Sequence, residues 1–282
     1  MSPSTARRPL IGAASPDHLH VMTFNLRFDG SDTTVAGDPD HWPDRRPHLI
    51  ELLEQEQPTL LGVQEALFSQ LPALREALPG HEMIGFGRDG GSAGEHAAIL
   101  YDPERLRVRE WDQFWLSDTP DRIGSVTWGH TVTRIAVWAR LEDLATGREL
   151  AMLNTHFDHE SAPARLRSAQ MLIDLVEGGR LDRVPTLITG DFNSAAHASG
   201  AYRALVTDGP FADTWESAVE QLTPAWGTFP DYQEPVEGGE RIDWVLATEE
   251  FTVHRAAINA STGRRAAPSD HAPVQALISL DS

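Results

Sequence analysis

Short apolar runs, each next to a carboxylate, amide or imidazole, recur along this chain. Leu19-His20-Val21-Met22-Thr23-Phe24 ends at Asn25, and Leu60-Leu61-Gly62-Val63 delivers Gln64 and Glu65. Thr186-Leu187-Ile188-Thr189 leads into Gly190-Asp191-Phe192-Asn193, and a last run over 273–280 follows Ser269-Asp270-His271. Runs this short, bounded by turn residues, read as buried strands. Residues 42–55 instead space Leu49, Ile50, Leu52 and Leu53 for a helix, with Pro43 in its first turn and Pro58 beyond its end. A second helix is expected over 67–78, stopped by Pro79-Gly80. A third, over 162–176, sets Leu166, Ala169, Leu172, Ile173 and Val176 on one face. The middle of the chain is strand-rich (83–86, 97–101, 106–115, 133–141 and 149–155), and strands follow at 241–247 and 253–257. Strand-helix-strand units at both ends of a strand-rich middle predict an α/β fold of two sheets packed face to face with helices outside.

Composition narrows the partners. A chain of 282 residues with 40% hydrophobic content supports one large core. We expect a single domain over 19–282 after a polar, disordered lead-in over 1–18. That lead-in lacks the ~7–15 apolar residues of a secretory signal, and the expected location is cytoplasmic. Lys+Arg 23 against Asp+Glu 42 leaves a net charge of -19, a field that repels polyanions and disfavours nucleic acid. The absence of cysteine excludes disulfides, thiolate metal sites and a cysteine nucleophile.

The strand ends carry the candidate chemistry, because a rigid sheet aims side chains that loops leave exposed. Glu65 is an oxygen donor suited to a hard divalent ion, or else a carboxylate capping the next helix. Asn25 reads equally as a turn amide. Asp191 and Asn193 alternate with Phe192, so they point together toward an attacking water and a phosphoryl oxygen, unless they only form an Asx-turn. Asp270-His271 pairs a metal ligand with a general base, and Asp243 is placed to fix the His271 tautomer. Arg134 and Arg165 are candidates to clamp a phosphate or to form structural ion pairs. Trp111, Phe114, Trp115 and Trp128 either line a cleft or pack the core. Asn154-Thr155-His156-Phe157-Asp158-His159 resembles the His-x-His-x-Asp-His zinc run of the metallo-β-lactamase fold, but Asn154 replaces the first histidine. His156 is better read as an imidazolium serving a phosphate oxygen or leaving group.

Taken in order, Thr23-Phe24-Asn25, Gly62-Val63-Gln64-Glu65, Asn154-Thr155-His156, Gly190-Asp191-Phe192-Asn193, Arg241-Ile242-Asp243 and Ser269-Asp270-His271 resemble the endonuclease/exonuclease/phosphatase superfamily, the deoxyribonuclease I-like fold. The resemblance covers about residues 19–280. It implies a four-layer α/β/β/α sandwich of two mainly antiparallel sheets, with Mg²⁺- or Mn²⁺-dependent hydrolysis of phosphoesters. It further implies Glu65 as main metal ligand with Asn25 and Asp270 near the ion, and Asp191 and Asn193 orienting water and phosphate. His271, held by Asp243, is then the catalytic imidazole, and His156 serves the phosphate or leaving group. One departure is Arg27, which stands where some relatives carry a second acidic residue. Gly87-Arg88-Asp89-Gly90-Gly91 and Phe114-Trp115-Leu116-Ser117 resemble a bacterial branch whose members are mostly named only by superfamily.

The expected function is a metal-dependent phosphoesterase acting on a phosphodiester or phosphomonoester of a small or lipid-derived substrate. A nuclease is the alternative, which a basic strip of Arg88, Arg105, Arg107 and Arg109 beside the site would favour. A non-catalytic binding module is disfavoured because Glu65, Asp191, Asn193, Asp243, Asp270 and His271 are all retained.

Overall fold

The computed structural model describes residues 8–261 and 267–280. The chain runs β1 (Leu19–Asn25), α1 (Trp42–Glu56), β2 (Leu60–Gln64), α2 (Leu71–Ala77), β3 (Glu82–Ile84), β4 (Ile99–Tyr101), β5 (Leu106–Trp115), β6 (Ile135–Asp143) and β7 (Glu149–His156). It continues through α3 (Ala162–Val176), β8 (Thr186–Asp191), α4 (Gly200–Tyr202), a π-turn at Arg203–Thr207, β9 (Ala212–Asp213), α5 (Thr214–Ser217), β10 (Glu220–Gln221), β11 (Asp243–Ala247), β12 (Phe251–Ile258) and β13 (Val274–Leu280). One sheet has seven strands in the order β10-β12-β13-β1-β2-β4-β3, and the other has six, β5-β6-β7-β8-β11-β9. Most pairs are antiparallel; β1 with β2, β7 with β8 and β10 with β12 are parallel.

Side-chain alternation explains the four layers. In β1, Leu19 and Val21 face the layer between the sheets while Met22 and Phe24 face α1 and α2. In β7, Leu150 and Met152 face inward while Ala151 and Leu153 face α3. Both faces of each central strand are therefore apolar, as expected for sheets covered on both sides. Each large side chain so buried contributes about 1.5–3 kcal/mol.

Toward one end of the inter-sheet layer the inward positions change from apolar to polar. Val21 is followed on its face by Thr23 and Asn25, Leu60 by Gly62 and Gln64, Met152 by Asn154 and His156, and Leu187 by Thr189 and Asp191. These groups satisfy one another. Gln64 Nε2 donates to Thr23 Oγ1 at 3.0 Å and to Asn154 Oδ1 at 2.7 Å. The Asn154 amide donates to the carbonyls of Val63 and Ala98 at 2.8 and 3.0 Å. Asn154 is thus a structural bridge between the sheets, which accounts for an amide at the position a zinc site would give to histidine.

Three expectations change. Residues 8–18, assigned to a disordered lead-in, are built into the molecule: the backbone N–H groups of Leu10, Ile11 and Gly12 donate to the buried Glu56 carboxylate at 2.9, 3.2 and 3.2 Å. Residues 1–7 lie outside the described residues. The second helix begins at Leu71 rather than 67, because the Gln70 side chain accepts from Leu67 N at 3.0 Å and closes a turn there. The strand expected over 133–141 begins at Ile135, which leaves Arg134 in the preceding loop. Among the described residues, no helix is long and apolar enough to cross a membrane.

Candidate active site

Strand register gathers the candidate residues. Asn25 pairs with Gln64 across β1 and β2, His156 with Asp191 across β7 and β8, and Asp191 with Asp243 across β8 and β11. Asp191 therefore sits between His156 and Asp243 on a central strand. Phe192 turns away from it and stacks on Trp244 (centroids 4.3 Å apart, planes at 16°) and meets Phe157 edge-on at 5.0 Å. This aromatic packing, worth about 0.5–1.5 kcal/mol per pair beyond burial, holds Asp191 toward the cleft. Arg27, Glu65 and Asn193 adopt left-handed backbone conformations at φ 54, 59 and 46. Such conformations cost a non-glycine residue about 1–3 kcal/mol and turn these side chains from the strand ends into one place.

At the centre, the Asn25 amide donates to Glu65 Oε1 at 3.1 Å and to Asp191 Oδ2 at 2.9 Å. Its oxygen accepts the Arg27 N–H at 2.9 Å, so Asn25 aligns two carboxylates. Glu65 Oε2 also accepts the Phe28 N–H at 3.1 Å. Asp243 accepts from His271 Nδ1 at 2.9 Å, and His271 Nε2 stands 3.7 Å from Asp191 Oδ2. Ser269 donates to the Asn25 carbonyl at 2.7 Å, tying the Asp270-His271 loop to β1.

The charges are unequal. Burial opposes charge on His271, but the Asp243 and Asp191 carboxylates outweigh it and hold the ring up at about 10. Burial, reinforced by Asp243, raises Asp191 to about 7. Asp270 is likewise raised, by burial and by Glu65. His156 goes the other way: burial, then Arg134, His271 and Arg88, drive it well below the ordinary imidazole value. The expectation of an imidazolium at His156 is therefore corrected. Its Nε2 accepts from the Asn193 amide at 3.0 Å, as a neutral ring does.

The donor set fits a hard divalent ion. One atom each of Glu65, His156 and Asp191 lie within 4.8 Å of one another. Asp270 stands close enough to Glu65 to be raised by it. These are mainly oxygen donors, the kind that suits a hard ion such as Mg²⁺ or Mn²⁺. Arg27 reaches Asp270 and Glu65 only at 3.7 and 4.0 Å, while its fork is spent on Asp40 at 3.0–3.1 Å.

The cleft over this centre has a volume of about 360 Å³ and is lined by Glu65, Asp191, Asn193, Asp270 and His271 together with Arg27, Phe28, Arg88, Glu95, Arg134, His156, His159 and Phe229. Arg134 is buried and donates to His159 Nδ1 at 3.1 Å. Arg165 does not line the cleft; it donates to the Asp158 carbonyl at 2.9 Å and so braces a loop, against its assignment to substrate. Trp111, Phe114, Trp115 and Trp128 pack against the hydrophobic layers instead of lining the cleft. The basic strip does not form, because Arg105 pairs with Asp143 at 2.7 Å and Arg107 and Arg109 both pair with Glu142. Only Arg88 of that set reaches the cleft. Glu95 and Phe229 were not anticipated, each coming from a loop whose sequence carries no local signal for the site, while His159 closes the 154–159 run singled out above.

The comparisons agree with this fold. Residues 22–271 match the family model described as the Endonuclease/Exonuclease/phosphatase family. The crystal structure of an endonuclease/exonuclease/phosphatase from Bacteroides vulgatus is 32% identical with a TM-score of 0.85, covering 94% of this chain and 99% of that one. A mannosyl-6-phosphatase from Bacteroides thetaiotaomicron is 33% identical with a TM-score of 0.84, covering 92% of this chain and 99% of that one. An uncharacterised protein of Acanthamoeba polyphaga mimivirus is 27% identical over 161 residues, 54% of this chain and 59% of that protein. Members of this group hydrolyse phosphoester bonds with a divalent metal. The chain belongs to the endonuclease/exonuclease/phosphatase family.

Proposed function

We propose that this protein is a divalent-metal-dependent phosphoesterase that hydrolyses a phosphodiester or phosphomonoester of a small or lipid-derived substrate. One observation carries the reading. Asp191, raised to about 7, is aligned by Asn25 at 2.9 Å and lies 3.7 Å from an imidazolium at His271. A carboxylate near neutrality is suited to take a proton from an attacking water, and a fixed imidazolium beside it is suited to stabilise charge on a phosphoryl oxygen. Asn193, whose amide is 3.0 Å from His156 Nε2, orients that water and the phosphate. Arg134 binds the phosphate's non-bridging oxygens, and His156, neutral, accepts the Asn193 amide N–H and so holds that amide in place. Glu65 and Asp270 would hold the ion. A bound Mg²⁺ or Mn²⁺ supplies polarisation of the phosphoryl oxygen and offsets its charge.

The cleft volume of about 360 Å³ lies within the range of small-ligand sites. The dispersal of Arg105, Arg107 and Arg109 into ion pairs supports this reading over a nuclease, as does the similarity to a mannosyl-6-phosphatase. The test is hydrolysis of p-nitrophenyl phosphate, bis-(p-nitrophenyl) phosphate and plasmid DNA with Mg²⁺, Mn²⁺ or EDTA, by wild type and His271→Ala. Metal-dependent ester turnover with intact plasmid, lost in the variant, is expected. Plasmid nicking that the variant abolishes would instead establish the nuclease.

A further inference from the structure

The hairpin over 87–95 brings a second guanidinium to the cleft, and its construction is specific. Arg88 N–H donates to the Glu95 carbonyl at 2.9 Å, while Asp89 N–H donates to the Ala93 carbonyl at 3.1 Å. Trp115 Nε1 donates to the Arg88 carbonyl at 2.7 Å, fixing the hairpin to the end of β5. Gly94 has φ +73, and a Cβ there would lie 3.0 Å from Arg88 Cγ and 2.4 Å from Asp89 Oδ2. The glycine thus clears the path of the arginine side chain.

Arg88 ends at Glu95, with Nη1 2.7 Å from Oε2. Around this pair the cleft narrows to a recess of about 10 Å³ lined by Glu65, Arg88, Glu95, Arg134 and His156. That is room for about one water-sized group. Arg134 converges on the same recess, and its Nε has no hydrogen-bond partner although the side chain is only 6% exposed. In a chain of net charge -19, Arg88 and Arg134 bring two guanidiniums to this recess beside the Glu65 and Glu95 carboxylates. A phosphomonoester carries about 1.5 to 2 negative charges near neutral pH and three free oxygens. A diester has an ester arm in place of one of those free oxygens and carries less charge.

Resting on the phosphoesterase reading, we propose that Arg88 is a specificity-determining residue that exchanges Glu95 for the terminal oxygens of a phosphomonoester, so that the cleft selects monoesters over diesters. Glu95 occupies the guanidinium fork in the absence of substrate and is displaced from it by the phosphate. Arg88 and Arg134 then grip the same terminal group from two sides, and Arg is the residue suited to such bidentate contacts.

The experiment compares wild type, Arg88→Ala, Arg88→Lys and Glu95→Gln in Mn²⁺. It reads KM and kcat for p-nitrophenyl phosphate and bis-(p-nitrophenyl) phosphate, with isothermal titration of the metal-loaded protein with inorganic phosphate. Arg88→Ala is expected to lower the monoester-to-diester ratio of kcat/KM about tenfold or more, chiefly through the monoester KM, and to weaken phosphate binding comparably. Arg88→Lys should recover part of the loss, and Glu95→Gln, which frees the fork, should lower the monoester KM. An unchanged ratio in Arg88→Ala, or wild-type preference for the diester, overturns the proposal. Failure of wild type to turn over either ester tells instead against the phosphoesterase reading. Phosphate titration then still decides on Arg88: weaker binding by Arg88→Ala upholds its anion role, and equal binding overturns it.

Discussion

Asp243 Oδ2 lies 2.9 Å from His271 Nδ1, which turns Nε2 of the same ring toward Asp191 Oδ2, 3.7 Å away. One buried carboxylate thus fixes the orientation of the imidazole and supplies its counter-charge, while the other meets its far edge. Asp243→Asn keeps the shape but removes the charge that favours imidazolium. It is expected to lower kcat by about 10²–10⁴ and to move the alkaline limb of the pH–rate profile to lower pH. Steady-state kinetics across pH checks this; a variant with the wild-type profile would show that His271 does not act through its charge.

Stability should depend on the same ring. Its folded value of about 10 lies above the ordinary 6.5, so its contribution is fully present below about pH 6.5 and lost as pH rises through about 10. Metal-free wild type is therefore expected to lose thermal stability between pH 7 and 10. Melts in EDTA should show a flatter pH dependence for His271→Gln, and equal slopes for the two proteins would contradict the assignment.

Gly62 marks where the sheets approach most closely beneath the site. A Cβ there would lie 2.2 Å from Thr189 Oγ1 and 2.5 Å from Asn154 Oδ1, both in the buried polar bridge. Gly62→Ala is expected to destabilise the protein by about 1–3 kcal/mol through overpacking and to reduce activity by displacing Gln64 and Glu65. Urea unfolding alongside kinetics reads both, and a variant as stable as wild type would mean that the bridge yields without strain.

Metal should report on Glu65 independently of turnover. An ion present at a hundredfold above its Kd stabilises the fold by about 2.7 kcal/mol, so Mn²⁺ should raise the melting temperature of wild type and EDTA reverse the rise. Glu65→Gln retains the hydrogen bonds of an amide but loses the charge, and should lose most of that shift. Retention of the full shift would place the ion elsewhere.

Several features of the site were legible as local patterns. Asn25, Glu65, His156, Asp191 and His271 each follow or precede an apolar run, and period-2 alternation alone points Asp191 and Asn193 away from the buried Phe192. The errors fall where contacts made only in the folded chain decide. Arg165 has the type and spacing of a phosphate clamp but is captured by the Asp158 carbonyl. Residues 10–12 look like a polar leader but find the Glu56 carboxylate, 44–46 residues away, which accepts their N–H groups.

The order of short strands, capped helices and polar strand ends, read from the sequence alone, determined the layered α/β fold and most of the residues at its chemical end, because periodicity and turn chemistry are local properties. Charge state and recruitment were decided only in the tertiary structure. Burial, with Arg134 and Arg88 close by, favours a neutral His156, whereas at His271 the Asp243 and Asp191 carboxylates outweigh burial and favour the charged ring, although both are histidines at segment ends. Arg88 and Arg105 both stand in turns, yet one enters the cleft and the other pairs with Asp143. Electrostatic energies depend on distance and burial across elements, and those distances exist only once the two sheets have packed.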